Sequence, residues 1–130
     1  MNNTEQSQLS ALFEPHHGPD IVDTQISEHS AILTLYVPKT IAWFKGHFPD
    51  QPVLPGVVQI DWAIKVAKAV FSSQVAPFSQ ITNLKFKSVV LPETEVRLEL
   101  TLDPIKNSVA FHFVNPEESF STGTIKFKHS

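Results

Sequence analysis

The period of apolar and polar positions changes along the chain, and each change marks an element. Ala31, Leu33, Leu35 and Val37 alternate with their neighbours and predict a strand over His29–Val37, with another over Ile21–Ile26 before it. Late in the chain Val96, Leu98, Leu100 and Leu102 alternate with polar residues, as do Val109, Phe111 and Phe113. Strands are predicted over Ile81–Val90, Thr94–Leu102, Ser108–Val114 and Phe120–Lys128, parted by the turn-forming segments LPE, DPIKN and NPEES. The middle reads differently. From Pro55 to Phe71 no further proline interrupts GVVQIDWAIKVAKAVF, and Pro55 suits the first position of a helix. A helix of that length spans roughly 25 Å. Val57, Val58, Ile60, Trp62, Ala63, Ile64, Val66, Ala67 and Val70 cover most of its circumference, which predicts a buried helix. Its one polar stripe is Asp61, Lys65 and Lys68.

Two stretches frame these elements. Leu9, Leu12 and Phe13 stand at helical spacing in a polar beginning and predict a short N-terminal helix, followed by a loop over 14–20 (EPHHGPD). Residues 38–55 hold Pro38, Pro49, Pro52 and Pro55 and form no single regular element. Two strands, a proline-rich loop, one buried helix and four consecutive strands make an α+β arrangement, an antiparallel sheet covering one helix. Its 130 residues suit one domain, 1–130.

Composition narrows the function. The hydrophobic fraction is 42% and the charged fraction 18%, the balance of a globular chain. With a net charge of −3 and no basic run, no nucleic-acid partner is expected. There is no apolar run long enough for a membrane span, and the polar MNNTEQSQLS is no secretory signal. The absence of cysteine excludes disulfides and thiolate chemistry and is compatible with a reducing cytoplasm.

Candidate chemistry gathers in residues 44–63, FKGHFPDQPVLPGVVQIDWA. His47 sits in a loop pinned by Pro49 and Pro52, and imidazole suits proton transfer near neutral pH. Gly56 falls in the first helical turn, where backbone N–H groups are unpaired and the helix dipole is positive. A glycine there permits close approach to the backbone, and such donors stabilise a developing oxyanion. Asp61 follows roughly 7.5 Å along the axis. In apolar surroundings a carboxyl group favours its neutral form and serves as an acid. A base, an oxyanion donor and an acid make an elimination site. His47 alone reads as a structural loop histidine; beside the prolines, Gly56 and Asp61 it reads as functional. Trp62 reads as core or tunnel lining. The adjacent His16 and His17 read as loop, because neighbouring histidines do not converge easily on a metal; no metal and no cofactor are expected.

The stretch resembles the active-site segment of the 3-hydroxyacyl-[acyl-carrier-protein] dehydratases of fatty acid synthesis. Their pattern is His-Phe-Pro, two residues, Pro-Val-hydrophobic-Pro-Gly, then Glu or Asp. Here it runs His47-Phe48-Pro49, Asp50-Gln51, Pro52-Val53-Leu54-Pro55-Gly56, then Asp61. The wording LPGVVQIDWA is most similar to dehydratases of aryl-polyene pathways, and LKFKSVVLPETEV is similar to the family's next strand. An Asp at the acid position also resembles a branch that isomerises its product, an activity that one sequence does not decide. The resemblance implies a hotdog fold, an antiparallel sheet wrapped around one long central helix. Two chains would join as a double-hotdog homodimer, with sites at the interface and an acyl tunnel between subunits. It further implies that Val53 offers its carbonyl to orient His47, that the Gly56 amide holds the thioester carbonyl, and that acyl carrier protein delivers the substrate near basic residues such as Lys45.

Two positions depart from the pattern. Lys65 stands where the family commonly has Gln; at i, i+4 it is able to pair with Asp61, which favours the carboxylate and a water-orienting role over an acid one. Pro92-Glu93 replaces Pro-Gly, a change of turn with no chemical effect expected. Two rival functions use the same fold: a hotdog acyl thioesterase, which generally lacks the His-Phe-Pro loop, and a non-catalytic acyl-binding subunit, which has no need of both His47 and Asp61.

Overall fold

The computed structural model describes residues 8–13, 16–41, 53–71 and 78–128. In chain order the elements are β1 (Asp20–Ile26), β2 (Ser30–Val37), α1 (Gly56–Val70), β3 (Phe78–Phe86), β4 (Thr94–Asp103), β5 (Ser108–Val114) and β6 (Ser119–Phe127). The strands form one six-stranded sheet in the order β1-β2-β4-β5-β6-β3, antiparallel at every pairing. This is the α+β arrangement that the alternation predicted.

The alternation explains why the sheet folds onto the helix. Leu33 pairs with Leu98, and Leu98 with Phe113. Ala31 pairs with Leu100, Leu100 with Phe111, and Phe111 with Gly123. These rungs present one apolar surface, and all of the apolar residues on them are buried. Helix α1 contributes Val58, Trp62, Ala63, Val66 and Ala67 to the same core. Each large side chain removed from water there stabilises the fold by about 1.5–3 kcal/mol. Gly123 is needed for one rung, since a Cβ there would stand 2.5 Å from the Phe111 ring.

Three expectations are corrected in detail. Strand β3 runs Phe78–Phe86 rather than Ile81–Val90, because the chain leaves the β6 ladder after Phe86 and Val90 instead bridges Leu54, whose N–H donates to the Val90 carbonyl at 2.8 Å. Pro55 is the N-cap of α1 rather than its first helical residue; its carbonyl accepts from Val58 and Gln59 at 3.0 and 3.3 Å. The helix is not buried all round. A sheet covers a helix from one side, and Val57 on the remaining stripe is 73% exposed, in line with the exposed Asp61 and Lys65.

At the N-terminal end Gln8–Ser10 are helical and Leu12 N–H donates to the Leu9 carbonyl at 3.1 Å. Leu9 is buried, and Leu12 and Phe13 pack against the core, so the spacing that predicted a short amphipathic turn holds there. Among the described residues no helix is long and apolar enough to cross a membrane.

Candidate active site

The site is built on the start of α1. The Leu54–Val90 bridge anchors the chain just before the helix, with half-buried Val53 ahead of it. No side chain among the described residues caps the helix, and its first turn holds no acidic residue. The backbone donors and the positive end of the helix dipole are therefore not countered by a local carboxylate. Gly56 has a neighbour that the sequence did not reveal. A Cβ at this position would lie 2.6 Å from Cζ of Phe86. The close approach that a glycine permits is thus made by the ring of Phe86, on β3, which remains half exposed.

Asp61 lies one turn beyond Val57 on the exposed stripe. Its Oδ2 accepts the Lys65 ammonium at 3.0 Å, with the two side chains 51% and 45% exposed. The pairing that the spacing allowed is therefore made. Trp62, beside Asp61 in sequence, is core as expected; its indole N–H donates to the His17 carbonyl at 3.2 Å. On the buried face Gln59 accepts a hydrogen bond from the Ser121 hydroxyl at 2.7 Å, tying α1 to β6. The sequence reading passed over Gln59, although a Gln amid the apolar residues of a helix read as buried was itself a signal.

Of the four site residues named from sequence, Val53, Gly56 and Asp61 are described, and Gly56 and Asp61 share one helix. His47 lies outside the described residues, as do Lys45, Trp43 and Phe44. Val57, in the first turn beside Gly56, and Phe86, against Gly56, are exposed large apolar residues; on or just after β3, Leu84 and Val89 are exposed as well. His16 and His17 sit in the loop before β1, and no group of three potential ligands for a metal ion occurs among the described residues.

With this geometry in hand, known proteins define the class. The solved dehydratase heterocomplex ApeI:P from Xenorhabdus doucetiae matches with a TM-score of 0.78 at 34% identity, covering 86% of this chain and 99% of that one. A structure from Erwinia carotovora subsp. atroseptica matches with a TM-score of 0.70 at 31% identity, over 85% of this chain and 96% of that one. The fold is the hotdog fold, in the form used by dehydratases. Among curated sequences, the 3-hydroxyacyl-[acyl-carrier-protein] dehydratase FabZ of Ligilactobacillus salivarius is 36% identical over 106 residues, 73% of this chain and 75% of that protein. The family described as ApeI-like, ApeI dehydratase, matches residues 23–124. The chain belongs to the ApeI-like dehydratase family.

Proposed function

We propose that the chain, working over 1–130 as one hotdog domain, dehydrates a 3-hydroxyacyl thioester on acyl carrier protein to the trans-2-enoyl thioester. The reaction belongs to fatty acid or aryl polyene biosynthesis in the cytoplasm. The observation that carries this reading is an uncapped helix start followed, on the open stripe of the same helix, by Asp61.

The roles follow from the chemistry. His47, oriented by the Val53 carbonyl, takes the proton from C2. The electron pair of that C–H bond forms the C2–C3 double bond while the C3–O bond breaks. The Gly56 amide stabilises charge gathering on the thioester oxygen. Asp61, paired with Lys65, orients a water that gives the departing hydroxyl a proton and is restored by the proton His47 took, and water leaves.

Assembly completes the site. Strand β3 ends the sheet, and Phe78, Leu84 and Phe86 on it are exposed. An open apolar edge of this kind invites another strand. Two copies joined along β3 would form the homodimer and bring His47 of one protomer toward Asp61 of its partner. The solved relative is a heterocomplex; for the purified chain alone the reading requires a mass of twice 14.5 kDa.

Hydration of an enoyl thioester, the reverse reaction, tests the proposal. His47→Ala and Asp61→Ala should each lower turnover by about 10²–10⁴-fold while the dimer persists. Normal turnover in either variant would end this reading. Release of free thiol from plain acyl thioesters would indicate a thioesterase instead.

A further inference from the structure

We infer that Lys65, seated on the ring of Phe13, is a positioning residue that fixes the orientation of the Asp61 carboxyl group. The inference rests on the proposed role of Asp61 and adds to it a device assembled from the N-terminal segment.

The contacts form a continuous series. Lys65 Nζ stands 3.0 Å from Asp61 Oδ2. The same ammonium lies 5.9 Å from the centroid of the Phe13 ring, within the range of a cation–π attraction. Phe13 is itself held edge-on against Trp62, with centroids 6.1 Å apart and planes at 70°. The indole of Trp62 is buried and donates to the His17 carbonyl at 3.2 Å. Gly18 permits the chain to fold back here, because a Cβ on it would stand 2.3 Å from Cβ of Phe13. Segment and helix therefore grip each other at Phe13, His17 and Trp62, and Lys65 lies at the outer end of that grip.

A long lysine side chain at half exposure ordinarily samples many rotamers. Two attractions at once, an aromatic face and a carboxylate, restrict it. The restriction passes to Asp61: one carboxyl oxygen is engaged by the ammonium, which leaves the other to meet the C3 hydroxyl or its water. An exposed pair at this spacing adds little to folding stability, so removing it reads out position rather than fold. Misplacement of a reacting group by even 1 Å is costly to turnover.

The test measures kcat and KM for hydration of crotonyl-N-acetylcysteamine by the full chain and by Lys65→Met, Lys65→Arg, Phe13→Leu and Asp61→Ala. Lys65→Met is expected to lower kcat about tenfold with KM and the unfolding midpoint little changed. Lys65→Arg should recover most of that loss, since a guanidinium also pairs with carboxylate and stacks on a ring. Phe13→Leu should fall between wild type and Lys65→Met. A Lys65→Met kcat within twofold of wild type, beside an inactive Asp61→Ala, would overturn the inference and leave the role of Asp61 standing. Full turnover by Asp61→Ala would overturn both.

Discussion

The middle of the sheet and its β3 flank are made from the same kinds of residue but are finished to different degrees. In β2, β4 and β5 every inward Leu, Val and Phe is buried beneath α1. In β3 no residue is fully buried, and Phe78, Leu84 and Phe86 remain exposed. The helix repeats the contrast, with Trp62 and Val66 enclosed and Val57 open. The closed region supplies stability. The open one holds Gly56 and Asp61 and is left for something else to cover. The proposed chemistry is sited where folding alone leaves apolar surface in water.

That contrast yields an ordered set of tests. The largest effect is expected from charging the flank. Leu84→Asp combined with Phe86→Asp should abolish self-association and enoyl hydration together, while circular dichroism still reports a folded monomer; a dimer of normal activity would erase the distinction. Next comes the middle. Leu98→Ala leaves a cavity between Leu33 and Phe113 and should lower unfolding stability by about 3 kcal/mol, measured by urea titration. Gly56→Ala is subtler. The new methyl group displaces the tip of the Phe86 ring, a half-exposed group that is free to move. Turnover is expected to fall about tenfold with little change in unfolding, and Phe86→Ala in the same chain should recover part of it. The smallest effect is a gain. Glu93 holds φ of 61°, a left-handed conformation costly for any residue with a Cβ. Glu93→Gly should raise stability by about 0.5–1 kcal/mol, seen as a higher thermal midpoint.

The elements were largely legible because alternation and proline placement are local signals. The six strands and the long helix follow from them. The end of β3 did not, because the β-branched Val89 and Val90 suit a strand whether they extend a ladder or cross to Leu54. The exposure of Val57 was hidden for a related reason: periodicity gives the apolar faces of a helix, but not which of them a sheet will cover. The family was legible from the motif, and the candidate site rests on the same motif. Its surroundings were not. Phe86 against Gly56 and Phe13 against Trp62 join positions far apart in the chain, and no spacing rule links them. The Asp61–Lys65 pair falls between these cases: spacing made it possible, and the structure shows it formed. The turn at Pro92-Glu93 was read as chemically silent, but its backbone strain required coordinates to see.

Apolar residues cover so much of the circumference of α1 that burial alone fixes its azimuth only coarsely. The bond from Ser121 to Gln59 supplies the preference. Turning α1 by one residue would carry that amide away from the Ser121 hydroxyl and leave this buried hydroxyl without its Gln59 partner, at about 1–3 kcal/mol. The bond thus works as a key in a smooth bore. It keeps the carboxyl-bearing stripe aimed outward without touching the carboxyl itself.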